Sequence, residues 1–187
     1  MPNLDAFEGR LLAHETILWS GFPGQGIIFA PRDGLLAPFS LLWGGFAVFW
    51  ETTVLRSNGP AFFALFGAVF VLIGLFMIFG RFLFDAWLRT KIAYALTDRR
   101  VLIVRSGPWS DFKAVSLDRL PEASLSEGAN GRGTIRFGQQ APLFARYRGG
   151  GFGPWVPSLE PTPQFLAIDD AKRVFALIQE RTNRDPP

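Results

Sequence analysis

The chain contains no cysteine, which excludes a disulfide framework, a thiolate metal site and a cysteine nucleophile. Its single histidine, His14, stands in a weakly patterned region without an acid to orient it, so a nucleophile–base pair is not assembled. One histidine and no calcium-loop spacing of acids also leave metal binding without ligands. Neither Gly128-x-x-Gly131-x-Gly133 nor Gly149-Gly150-Gly151 has the strand-to-helix setting or the lysine of a phosphate loop, and both read as turns. The N-terminus lacks a basic stretch followed by an apolar core, so no cleavable signal peptide is expected. These absences point to a non-catalytic protein without a cofactor.

Charge is missing from one long stretch. Ser57–Gly80 carries no charged side chain and is bracketed by Arg56 and Arg81. Its 24 residues would extend roughly 36 Å as a helix, enough to cross a ~30 Å hydrocarbon core with tilt. Its apolar residues run all round the helix. A shorter run, Gly34–Trp50, extends through Glu51 to Leu55 if Glu51 lies near the interface, with Asp33 as N-cap. The turn-like Ser57-Asn58-Gly59-Pro60 between them makes the two arms antiparallel, giving spans over about 34–55 and 58–80. Gly44 and Gly45 with Ala47 on the first arm are placed to face Ala64, Gly67 and Gly74 on the second, since small residues let helices in lipid approach closely.

Lys and Arg near the span ends set orientation. The connecting turn has Arg56 alone, whereas Arg32, Arg81, Arg89, Lys91, Arg99 and Arg100 lie on the other side. Both termini are therefore expected in the cytoplasm. Residues 81–187 carry 16 basic and 11 acidic side chains, an excess that favours anionic headgroups by about 1 kcal/mol per residue near the surface. The same excess also follows from orientation alone. A pI near 9.8 invites nucleic acid, but the aromatic residues concentrate in the spans rather than among the basic ones, so none is expected.

Residues 1–33 form a polar N-terminal segment whose Trp19 and Phe22 are placed either at the membrane surface or against the later domain. From Thr90 the texture becomes strand-like. Lys91–Leu96 and Val101–Arg105 flank a polar hairpin turn, followed by Phe112–Leu117, Ala123–Glu127 and Thr134–Phe137, with Asn130-Gly131 as a turn signal. Residues 138–163 are rich in Gly and Pro and read as a loop. Ala171, Val174, Phe175 and Ile178 share one face of a helix over about 169–181, capped by Asp169 or Asp170. Antiparallel strands closed by such a helix predict a small barrel or curled sheet over 82–187.

Four segments carry a family likeness: Glu15 with Leu18-Trp19-Ser20-Gly21-x-Pro23; Pro38-Phe39-Ser40-Leu41-Leu42-Trp43-Gly44-Gly45-Phe46; Phe79-Gly80-Arg81-Phe82; and Tyr94-Ala95-Leu96-Thr97-Asp98-Arg99-Arg100-Val101-Leu102-Ile103. They resemble bacterial pleckstrin-homology (PH)-domain membrane proteins, and Ile168-Asp169-Asp170-Ala171-x-x-Val174-Phe175 fits the terminal helix of that family. The resemblance implies paired transmembrane helices, a PH-like barrel and an inner-membrane location. It brings no reaction.

The candidate contact residues are Arg81, Arg89, Lys91, Arg99 and Arg100; the guanidinium forks of the arginines match phosphate, and the Lys91 ammonium adds a point charge. Asp85 stands one helical turn from both Arg81 and Arg89 and is expected to pair with one of them. The expected function is a membrane-tethered interaction module that binds a protein partner or an anionic lipid headgroup. The other reading is a small subunit of a transport or enzyme assembly, with Gly44, Gly45, Gly67 and Gly74 packed against foreign helices.

Overall fold

The computed structural model describes residues 4–30, 33–57, 59–107, 110–120, 122–128, 131–138 and 155–184. Asn130 and most of the Gly/Pro-rich stretch expected as a loop lie outside these.

Two helices dominate the first half: α1 (Asp33–Arg56) and α2 (Ala61–Arg89), both long and apolar enough to cross a membrane. The second continues as helix for nine residues past Gly80, where the membrane span is expected to end. A π-helical stretch, Phe76–Gly80, joins its apolar part to an amphipathic end, Arg81–Arg89. From Ala61 to Gly80 the helix rises about 30 Å at 1.5 Å per residue, so the charged residues begin where a hydrocarbon core would end.

The arms pack through a seam of small side chains. Ser40, Gly44 and Ala47 are buried on α1, and Gly67 and Gly74 on α2. A Cβ built on Gly74 would lie 3.0 Å from Gly44 Cα, so the backbones meet there. At Gly67 a Cβ would collide with Glu51 Oε2. Thus Gly67 receives the Glu51 carboxyl rather than a glycine. Gly45, expected in the seam, is exposed with nothing within 4 Å of its Cβ position. The helical offset from Gly44 turns it outward.

The strands form two antiparallel sheets; of the barrel or curled sheet expected, a closed barrel is not formed among the described residues. β1 (Ile17–Gly21), β2 (Ile92–Thr97), β3 (Arg100–Arg105) and β4 (Asp111–Ser116) make the first, in that order. β5 (Ala123–Glu127), β6 (Gly133–Phe137) and β7 (Gln164–Ile168) make the second. No ladder joins the two among the described residues, so the sheet does not close. The first sheet is built across the hairpin: β1 precedes α1, and Ile17 pairs with Thr97. The N-terminal segment is therefore part of the fold. Trp19 packs on Phe165 at 5.4 Å between ring centroids, while Phe22 stays exposed.

β2 is buried along its whole length because both of its faces are covered. Ile92, Tyr94 and Leu96 meet Ile135, Phe137, Phe165 and Ile168 of the second sheet, together with the terminal helix α3 (Ala171–Arg184). Ala93 and Ala95, with Leu102 and Val104 of β3, pack under Phe7 from a 3-10 turn at Leu4–Phe7. Ala171, Val174 and Ile178 are buried as the periodicity predicts, and Phe175 packs against the same core.

Between the sheets, the Leu166 N–H donates to Tyr94 Oη at 3.3 Å. Burial pushes the Tyr94 phenol well above its ordinary value, so it remains protonated.

Candidate functional site

The five basic side chains singled out by sequence do not form one surface. Arg81 is 2% exposed at the foot of the hairpin. Its Nη1 lies 2.9 Å from Asp33 Oδ1, and its guanidinium sits 4.4 Å from the centre of the Phe82 ring. Asp33 was expected to cap α1 through its own position. Instead its Oδ2 reaches back to accept the Ala30 N–H at 2.7 Å, while its N–H donates to Ala30 O at 2.8 Å. This reciprocal pair resembles the returning half of a capping box, and it leaves Oδ1 for Arg81.

Arg89 is also buried, at 1% exposure. Its Nε donates to Asp85 Oδ2 at 2.9 Å, the i, i+4 geometry that one helical turn makes natural. Its two terminal nitrogens donate to the carbonyls of Gly24 and Gly26. Asp85 Oδ1 accepts the Ser158 N–H at 2.9 Å. One carboxylate–guanidinium pair thus binds α2 to the strap before α1 and to the 3-10 turn Pro157–Leu159 that leads into β7. Sequence reasoning recognised Asp85 as a partner for Arg81 or Arg89, and the structure assigns Arg89.

Arg100 belongs to a third cluster. Its Nε and Nη2 donate to Glu15 Oε1 and Oε2 at 3.0 and 2.6 Å. The Thr97 hydroxyl and the Leu12 N–H donate to the same carboxylate, each at 2.7 Å. The Arg100 hydrogen bond holds the Glu15 carboxyl down at about 2, against the burial that would raise it. The reciprocal bond raises Arg100. This cluster pins the N-terminal segment to the β2–β3 turn. Lys91 and Arg99 are exposed, and they are the two members of the group that face solvent.

Because the Glu15 value is lower in the folded chain, this pair stabilises fully above about pH 4.5 and is lost as the pH falls toward about 2. E15Q is expected to cost roughly 2–3 kcal/mol at neutral pH. It should also flatten the acid limb when thermal unfolding is followed across pH. A variant whose acid limb still parallels the wild type would refute this assignment.

Elsewhere, burial lowers the Lys113 ammonium, which donates to Pro161 O at 3.0 Å. The recess beside it, between β3, β4 and the 157–164 segment, holds about 30 Å³, room for about one water. Among the described residues, no group of three or more His, Cys, Asp or Glu converges as a metal site would require. Of the glycines named from sequence, Gly44, Gly67 and Gly74 lie within the hairpin seam and Gly45 does not. The partners that sequence could not assign are Asp33 for Arg81 and Glu15 for Arg100, because each pair is separated by a whole hairpin.

Compared with family models, curated proteins and solved structures, the chain has no match, so its functional reading rests on its own residues and geometry.

Proposed function

We propose that this chain is a non-catalytic, membrane-tethered recognition module, PH-like by the resemblance of its motifs. The hairpin crosses the bacterial inner membrane twice, both termini lie in the cytoplasm, and the sheets offer a surface to a protein partner or a lipid headgroup. The observation that carries this reading is the buried joint of Asp85, Arg89, Gly24, Gly26 and Ser158. A flexible tether would serve anchorage alone. A joint that links the anchor to both the strap and the second sheet holds the sheets in one attitude to the bilayer and restricts which partners can reach them. Orientation follows from Arg81, Arg89, Lys91, Arg99 and Arg100 at one end of the hairpin against Arg56 at the other.

The alternative, a small subunit packed through its glycines on foreign helices, has less support, since Gly44, Gly67 and Gly74 are occupied within the hairpin.

Three measurements on the full chain test the proposal. Carbonate washing should leave it in the membrane pellet, and a reporter at the C-terminus should be active only in the cytoplasm. Crosslinking in native membranes from Lys91 and Arg99 should yield a discrete partner or lipid adduct. Release by carbonate would overturn the tether, and crosslinks confined to the chain itself would overturn recognition at that face.

A further inference from the structure

Past Gly80 the second helix turns inside out. Over Arg81–Arg89 all the charged side chains, Arg81, Asp85 and Arg89, are buried in the protein, whereas Leu83 and Trp87 are exposed. A helix at a protein–water surface carries the opposite pattern. Phe79, Leu83 and Trp87 are all exposed and stand four residues apart. One apolar stripe therefore passes from the uncharged part of the helix into this extension without changing character.

The strap before α1 repeats the inversion. It runs antiparallel to the extension, held at one end where Arg89 donates to the Gly24 and Gly26 carbonyls and at the other where Asp33 meets Arg81. Between these ties Phe29 lies against Phe82, 5.3 Å between ring centroids. Ile27 and Phe29 are nonetheless 58% and 75% exposed. A cavity of about 600 Å³ separates the strap from a largely polar wall on the second sheet, made by Ser126, Thr134, Arg136 and Gln164. Folding inward would not give these apolar side chains an apolar neighbour there. Residues 22–30 contain no charged side chain.

Helix rise gives the level of each group. Counted outward from Gly80, Phe82 and with it Phe29 lie about 3 Å beyond a ~30 Å hydrocarbon core, Leu83 about 4.5 Å and Trp87 about 10.5 Å. The headgroup layer occupies roughly 5–8 Å on each side of that core. Phe29 and Leu83 fall inside it. Trp87 stands just past it, but helical Cα–Cβ bonds tilt toward the N-terminus, which for α2 is the bilayer side. Aromatic rings favour this level.

We propose that the strap and the extension form a ledge seated in the headgroup layer, with the glycerol and upper acyl region of phospholipids as its partner. The proposal rests on the hairpin spanning a membrane, and adds a second membrane contact that crosses nothing. Among its described residues the ledge exposes no charged side chain, so its seating is independent of headgroup charge.

A chain without cysteine can carry one nitroxide at a time. I27C, F29C and L83C label the ledge, and L72C labels the middle of the α2 span. D118C gives an exposed reference on the turn after β4, beside Arg99 at the end of the first sheet away from α2. The full chain is reconstituted in phosphatidylcholine vesicles, and each label is read by collision with oxygen and with a neutral nickel chelate. The ledge labels should meet nickel several-fold less often than D118C and oxygen more often, with L72C deeper still. Replacing half of the lipid by phosphatidylglycerol should leave these values unchanged. Ledge labels as open to nickel as D118C, with L72C protected, overturn this proposal alone. An L72C label open to nickel overturns the membrane reading as well. Ledge labels shielded from both reagents would place a second copy over the ledge, and a depth that follows phosphatidylglycerol would assign recognition by charge; either result overturns the seating.

Discussion

R89A is expected to be among the most damaging single substitutions in this chain, costing roughly 3–5 kcal/mol. Arg89 is 1% exposed and satisfies three acceptors at once: the Asp85 carboxylate and the carbonyls of Gly24 and Gly26. Alanine would leave Asp85 as an uncompensated buried charge and two carbonyls without their donor. Both losses act in the same direction. For a chain of this size the change corresponds to a fall in Tm of roughly 10 °C. R89K should keep the charge but not the planar fork, and should fall between wild type and R89A. Thermal unfolding of the purified chain in detergent measures the fall, and limited proteolysis should show earlier cleavage at residues 24–30. An R89A protein within 0.5 kcal/mol of wild type would mean that the joint holds nothing.

G74L tests the hairpin in the same way, with a matched control inside the same motif. At Gly74 a Cβ would already stand 3.0 Å from Gly44 Cα, and that neighbour is backbone, which cannot swing aside. Leucine there must push the helices apart, a cost of about 1–3 kcal/mol or more from overpacking. G45L meets nothing within 4 Å and should be neutral to about 0.5 kcal/mol. Gly67→Leu should be intermediate, because it displaces the mobile end of Glu51 along with Trp50 rather than a main chain. Unfolding midpoints in one detergent rank the three. Equal losses at Gly74 and Gly45 would show that the seam is not where the helices meet.

These expectations show what could be read without coordinates. The two apolar runs, the period-two alternation at Ala123–Glu127 and the stripe of Ala171, Val174 and Ile178 are local patterns, and local patterns survive folding. Arg81 reads in the sequence as the charge that ends the membrane span, and its burial was not legible there. In the structure Arg81, Asp85 and Arg89 continue one buried helical stripe. The open pair of sheets was not legible either, since the pairing of Ile17 with Thr97 spans the entire hairpin. The same distance hid the fate of the basic group. Nothing near Arg81 or Arg100 in sequence announces Asp33 or Glu15, so buried and solvent-facing arginines looked alike. Asp85 and Arg89, four residues apart, were legible for the opposite reason.

The pairing of β1 with β2 has a further consequence for how the chain is made. Ribosomal synthesis delivers Ile17–Gly21 first and its complement only after both long helices have emerged. Until Thr97 arrives, the leading strand has no neighbour, and a piece lacking the first thirty residues would display the bare rim of β2 as a template for self-association. Completion of the sheet therefore waits on the helices turning back. Assembly of the polar part and placement of the oily part become a single event in time.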